Sequence, residues 1–208
     1  MKHSTEELIA TAYEYYPQEI PSGDPRYDQT PEVLRQREAR VLAVAQYKNW
    51  RPLLRRLMAR FPEEQFPGVI VQNNSLEIEA NTPESLLWNR CLAGFLWHPV
   101  QTPKESNLSL IFLVSFVVPY YTIYSERHVF NGQLTSKGKP SVDIVKSFNL
   151  SPDELPFATA IEEEIRTTFP DHEPILPEVG LTVVPNVQAG NKWFGESTIF
   201  TCLFSDRW

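Results

Sequence analysis

Histidine and clustered carboxylates are the side chains of this sequence that could carry out chemistry. The triplet Asp171-His172-Glu173 places two carboxylates beside an imidazole, a combination that could act as a general base or bind a metal ion. The triplet lies between Pro170 and Pro174, and neighbouring residues of such an extended loop point in different directions. The three side chains are therefore not expected to converge on one atom, and we predict no catalytic or metal-binding residue among them.

The cysteines and the other histidines have structural interpretations. Cys91 and Cys202 lie far apart among apolar neighbours, which predicts two buried, reduced thiols. His98 is typical of a loop residue that caps a strand, and His128 of a surface residue on a strand. A small hydrolase or transferase that uses Cys91 or His172 remains an alternative, and it requires a pocket in which those side chains meet an acid or an amide donor.

Short motifs that bind nucleotides or metals do not occur in the sequence. Its eight glycines form no GxGxxG pattern and no phosphate loop, and the GxSxG, HExxH and CxxC patterns are also missing. We therefore expect neither a cofactor nor an enzymatic activity.

Charge is divided unevenly along the chain, whose net charge is −7. Residues 32–60 carry eight basic and two acidic side chains, a composition that could suit nucleic acid. A basic helical face is more often solvated and paired with acidic neighbours, and an acidic protein repels phosphate backbones. We expect no nucleic-acid partner.

The C-terminal part of the chain has an excess of negative charge. Residues 150–208 contain ten acidic and three basic side chains. Such a surface speeds the encounter with a basic protein, and exposed aromatic side chains on rigid loops anchor interfaces. The alternative is a solvated helix face. The candidate partner-binding residues are five carboxylates and one indole: Glu162, Glu163, Glu164, Asp171, Glu173 and Trp193.

Hydropathy gives no indication of a membrane segment. The longest apolar run, Leu108–Val118, is shorter than the roughly 20 residues that a spanning helix needs. The first residues contain no apolar run behind a basic cluster, so they do not resemble a secretory signal. We expect a cytoplasmic protein.

Helix starts are marked by capping residues. Ser4 and Glu7 form a capping box, and Thr30-Pro31-Glu32 combines a capping hydroxyl, a proline and an acid. A separate helical segment is predicted around Pro52–Phe61, with its arginines outward. Two further starts are Thr82-Pro83-Glu84 and Ser151-Pro152-Asp153. The last precedes Phe157, Ile161, Ile165 and Phe169 at four-residue spacing, with Glu162–Glu164 on the outer face.

Strands are predicted from β-branched and aromatic composition. Pro119 divides Ile111–Tyr124 into two strands, and Asn73-Asn74 could turn a hairpin. The remaining predicted strands complete a twisted, largely antiparallel sheet of six or seven strands: Val69–Gln72, Leu76–Ala80, Val142–Phe148, Leu181–Val187 and Thr198–Phe204. The fold class is α+β, with one globular domain over residues 1–208 that is helical over 1–62 and sheet-rich over 63–208.

Both ends of the sequence resemble bacterial immunity proteins that accompany polymorphic toxins. The resemblance covers about the first quarter and the last tenth of the chain. It lies in turn and strand signals: Tyr16-Pro17, Asp24-Pro25-Arg26-Tyr27, Thr30-Pro31-Glu32, Trp50, Gly195–Phe200, Cys202-Leu203-Phe204 and Trp208. The resemblance implies a small cytoplasmic protein that binds one toxin domain stoichiometrically.

Three functions are thus open. The first is an immunity protein that occludes the active site of a cognate toxin, encoded by a neighbouring gene. The second is an adaptor or structural subunit of a larger assembly, and the third is the small hydrolase or transferase. The sequence does not predict an oligomeric state.

Overall fold

A computed structural model describes residues 2–73, 90–98, 105–134 and 140–205. Within these ranges the helices are α1 (Thr5–Tyr15), α2 (Pro31–Arg60), α3 (Leu155–Thr168), α4 (Pro177–Gly180) and α5 (Ile199–Leu203). The strands are β1 (Ile70–Asn73), β2 (Cys91–His98), β3 (Glu105–Ser115), β4 (Tyr120–Leu134), β5 (Pro140–Ser147) and β6 (Glu173–Pro174). The predicted α+β fold class is confirmed.

The six described strands form one sheet. Strands β1 to β5 are antiparallel neighbours in chain order, and the short β6 lies parallel to the beginning of β4. The predicted break at Pro119 is confirmed, because β3 ends at Ser115 and β4 begins at Tyr120. The predicted strand Val142–Phe148 corresponds to β5.

Helices cover both faces of the central strands of the sheet. Side chains of α2 and α3 pack with Leu110, Phe112 and Val114 of β3 on one face. Side chains of α1, α4 and α5 pack with Ile111 and Leu113 on the other. Alternate residues of a strand point to opposite faces, so β3 is buried on both sides and reads as a continuous apolar run.

Two helix starts follow the predicted capping chemistry. Ser4 and Glu7 form the capping box of α1, and the Thr30 hydroxyl accepts a hydrogen bond from the Val33 amide at the start of α2. The prediction of two separate helices over 31–61 is wrong. Helix α2 continues to Arg60 with Pro52 inside it. Pro52 has no N–H, so the helix loses one backbone hydrogen bond there. The burial of Trp50, Leu53 and Leu57 offsets this loss. The predicted starts at 82–84 and the strand 76–80 lie outside the described residues.

The two C-terminal strand predictions are wrong. Residues 181–187 form a loop and not a strand. Its β-pairing is limited to an isolated bridge between Val183 and Thr198. Residues Ile199–Leu203 form helix α5, which begins with a capping box between Thr198 and Thr201. A short apolar run that is buried on all sides has the same composition in a strand as in a helix. The capping residues at its start therefore distinguish the two structures.

Helix α5 is buried along its whole length, and its C-terminal carbonyls need partners. Three side chains from separate parts of the chain supply them. The Tyr16 hydroxyl donates to the Cys202 carbonyl at 2.9 Å, Ser115 Oγ to the Leu203 carbonyl at 2.8 Å, and Arg90 Nη1 to the Thr201 carbonyl at 3.2 Å. These bonds join the end of the described chain to α1 and to the ends of β2 and β3.

Gly94 of β2 is required by its cross-strand neighbour. Gly94 pairs with Phe112 of β3, and a Cβ atom at Gly94 would lie 2.2 Å from Phe112 Cζ. The ring of Phe112 is fully buried and also contacts Trp50, with ring centroids 5.5 Å apart. The glycine thus makes the space in which the aromatic ring joins the sheet to α2.

We predict that Gly94→Ala destabilises the fold by about 1–3 kcal/mol, because the Phe112 ring must shift within a packed core. Gly23→Ala is the matched control, since nothing lies within 4 Å of its Cβ position, and it should change the free energy of unfolding by less than about 0.5 kcal/mol. Urea denaturation of both variants measures the difference. Equal stability of the two variants would contradict this role of Gly94.

Candidate functional site

The acidic triplet of α3 does not lie on one open face. Glu164 is buried, and its carboxylate accepts from Arg56 Nε at 2.7 Å and from Arg60 Nε at 2.8 Å. Glu163 is more exposed and pairs with Arg60. The prediction that all three carboxylates point outward is therefore wrong for Glu164, and two arginines of α2, Arg56 and Arg60, are directed at α3.

Glu162 occupies a different position, next to the sheet. Its Oε1 accepts hydrogen bonds from the Tyr121 hydroxyl of β4 at 2.7 Å and from Arg166 Nη2 at 2.6 Å. Burial, and then the bond to Glu162, raise the pKa of the Tyr121 hydroxyl to about 12. The hydroxyl thus remains a proton donor that fixes Glu162 against the edge of β4.

An edge cleft of about 220 Å³ lies beside this pair. It is bounded by α3, by strand β4 and by the segment that runs from β6 into α4. Apolar groups form most of its wall, with a few polar ones among them. Its lining includes Ile123, Leu150, Leu155, Thr159, Glu162 and Pro177. No local sequence pattern indicates this cleft, because it arises where three distant segments meet.

Asp171 and Glu173 lie just before and within β6, where Lys2 of the N-terminal segment contacts both residues. Lys2 Nζ donates to the Asp171 backbone carbonyl at 3.2 Å and lies 3.7 Å from the Glu173 carboxylate. The Asp171 side chain is exposed, whereas that of Glu173 is one-third exposed. These two residues therefore help to position the N-terminal segment, and Asp171 also remains accessible.

His172 is separated from its flanking carboxylates, as expected for adjacent residues. Its Nε2 lies 3.4 Å from the Ser115 carbonyl oxygen, its ring packs against Phe169, and its buried Nδ1 has no partner among the described residues. Burial lowers the pKa of this imidazole below its ordinary value. The ring thus favours the neutral form.

Trp193 is a strongly exposed member of the predicted site residues. Its side chain is 68% exposed, and the next residue, Phe194, is 41% exposed. The loop is held in shape because the Trp193 amide donates to the Glu196 carboxylate and the Glu196 amide donates to the Trp193 carbonyl. Gly195 adopts a positive φ of 83°, which a residue with a side chain rarely adopts. Exposed aromatic side chains thus stand on an ordered turn.

The cysteines take the predicted structural positions. Cys91 and Cys202 are buried and are not joined in a disulfide. Burial raises the pKa of the Cys202 thiol to about 12, so at neutral pH it is a poor nucleophile. No group of three or more metal-binding side chains occurs within residues 2–73, 90–98, 105–134 and 140–205.

Strand β5 exposes apolar side chains on both of its faces, although the sequence analysis does not distinguish it from the strands of the core. Val142, Ile144 and Val145 are 38%, 57% and 48% exposed, and Phe130, opposite Val142, is 40% exposed. Strand β5 pairs with β4 on one side and is the last strand in the described sheet order. Its composition matches that of a buried strand, and only the topology shows that it lies at the edge.

Comparisons with protein-family models, with curated proteins and with solved structures found no match for this chain. None of its described helices is both long enough and apolar enough to cross a membrane. The predicted site residues fall into three groups, and no described contact joins them. These groups are Glu162–Glu164 on α3, Asp171 and Glu173 beside Lys2, and Trp193 on its loop.

We predict that Glu164→Ala lowers the free energy of unfolding by about 2 kcal/mol, because two arginines lose a shared buried partner. The arginines are about 40% exposed and regain water, which limits the loss. Glu163→Ala is the matched control on the same helix, and its exposed ion pair should contribute less than about 1 kcal/mol. Urea denaturation separates the two, and a Glu163 effect as large as that of Glu164 would contradict the structure.

We predict that acidification destabilises the protein through His172. Its folded-state pKa is lowered, so the unfolded chain binds the proton at a higher pH than the folded chain does. The contribution of the neutral His172 ring to the free energy of unfolding is fully present above about pH 6.5, and it is lost as the pH falls below that value. His172→Gln should flatten the slope of the unfolding free energy against pH between pH 7 and pH 5. An unaltered slope in His172→Gln would refute this assignment.

Proposed function

We propose that this chain is an immunity protein that binds a cognate toxin and blocks its active site. The sequence resemblance at both ends of the chain supports this function. The observation that carries the proposal is the 68% exposure of Trp193 beside Phe194 on a hydrogen-bonded turn. Large aromatic side chains are rarely left in water on an ordered loop, and they are the residues on which protein interfaces most depend.

The surface around this turn extends the apolar contact. Leu181 and Val183 are 41% and 45% exposed. The Val183–Thr198 bridge and the bond from the Val184 amide to the Ser197 carbonyl hold their segment beside the one that follows Trp193. Two exposed carboxylates lie close in the chain to these apolar residues, Glu178 three residues before Leu181 and Glu196 three residues after Trp193. A basic toxin cleft is the complementary partner.

The test is co-expression with the product of the neighbouring gene, followed by measurement of growth and of a one-to-one complex. We expect the chain to restore growth and Trp193→Ala to weaken the complex about 30-fold or more, as for a central interface aromatic. Met58→Ala is the control, since Met58 is a 46% exposed apolar side chain on α2. The proposal would be refuted if the chain neither restored growth nor formed a complex with that product.

The second candidate is an adaptor that joins two proteins. It is favoured by the apolar edge of β5, which is separate in the chain from the Trp193 turn and gives the molecule a second exposed apolar surface. Edge strands that expose apolar side chains readily pair with another strand. An adaptor predicts complexes with two partners at once, and mass measurement of complexes isolated from the native cell distinguishes this from a single pair.

A further inference from the structure

The edge of strand β4 is interrupted within the edge cleft. On the side away from β3, Tyr121 faces β6 through the bond from the Ile175 amide to the Tyr121 carbonyl, and Ser125 faces Ser147 of β5. Ile123 lies midway between them, and no described strand is paired with it on this side. Backbone groups of alternate strand residues point to the same edge, so the N–H and C=O of Ile123 face the gap.

The gap opens onto the apolar wall of the edge cleft. Leu155 of α3 is 50% exposed there, and Leu150 and Ile123 are partly buried. The volume of about 220 Å³ is below the 300–1,000 Å³ of typical small-molecule sites. Such a cleft suits one long side chain and the backbone that carries it.

Glu162 adds a charge to this wall. Both of its described hydrogen bonds, from Tyr121 and Arg166, go to Oε1. The second oxygen, Oε2, has no partner among the described residues, although a carboxylate can accept about four hydrogen bonds. The residue is held in place on one side and can accept on the other. A cation with an apolar stem matches a carboxylate beside an apolar wall.

We propose that the edge cleft binds an extended segment of the protein partner that carries a lysine or an arginine. The segment bonds its backbone to the N–H and C=O of Ile123, and its basic side chain passes Leu155 to reach Glu162 Oε2. This is strand addition limited to a short gap, in which backbone bonds give affinity and the cleft selects the side chain. The inference rests on the proposed protein-binding function.

Charge favours a basic partner over a second copy of this chain. The net charge is −7, so two copies repel each other, and two of the arginines on α2 are already paired with Glu163 and Glu164. A basic segment of another protein meets no such repulsion.

Peptide titration of the ¹⁵N-labelled full chain tests the site without the toxin. The probes are Ac-Thr-Val-Arg-Val-Thr-NH₂ and the same peptide with glutamate in place of arginine. We expect the arginine peptide to shift the Ile123 amide resonance, and Glu162→Gln to weaken its binding about tenfold. No shift at Ile123, or equal binding of both peptides, would overturn the proposal.

Two threonines of α3 provide a matched pair of blocking variants. Thr159 and Thr167 are both exposed, and each hydroxyl bonds to the carbonyl four residues earlier, but only Thr159 lines the edge cleft. Thr159→Phe should abolish peptide binding, and Thr167→Phe should leave it intact. Loss of binding in both variants would overturn the assignment of this cleft, as would a dimer that Thr159→Phe dissociates.

The same variants separate this inference from the proposed function. If the chain binds its toxin and Thr159→Phe leaves the affinity unchanged, the cleft assignment fails while the immunity function stands. If the arginine peptide binds the cleft but the chain gives no protection from the toxin, the immunity function fails and the site remains.

Discussion

Burial of both faces of the central strands is the constraint on which the rest of this structure depends. Strands β3 and β4 carry apolar side chains on alternate positions of both faces, so each face needs a covering layer. Helices α2 and α3 cover one face, and α1, α4 and α5 cover the other. Once both faces are covered, the backbone groups of the sheet can meet another molecule only at an edge.

Buried polar groups hold the helices of each covering layer in position. On one face, Arg56 and Arg60 of α2 share the buried carboxylate of Glu164 on α3. On the other, Tyr16, Arg90 and Ser115 satisfy the C-terminal carbonyls of the buried helix α5. Each of these buried groups would cost about 1–3 kcal/mol if it were left unpaired, so their partners determine how each helix is placed as well as whether it packs.

Local patterns predicted much of the fold. Ser4 with Glu7 and the four-residue spacing from Phe157 to Phe169 each act within one helix, and both were confirmed. Strand β2 escaped prediction because Gly94 interrupts its pattern, and its glycine makes sense only beside Phe112 of β3. Helix α5 was mistaken for a strand because a fully buried run of five residues shows no periodicity.

The candidate site was less predictable, for the same physical reason. Composition correctly marked Trp193 as an aromatic in a turn, but it could not distinguish Glu162 from Glu164, two residues apart on one helix. What separates them is the neighbour that each meets: arginines from α2 for Glu164, and a tyrosine from the sheet edge for Glu162. Contacts between segments more than forty residues apart therefore decide which of the two carboxylates is buried beneath arginines and which is held against the sheet edge through one oxygen.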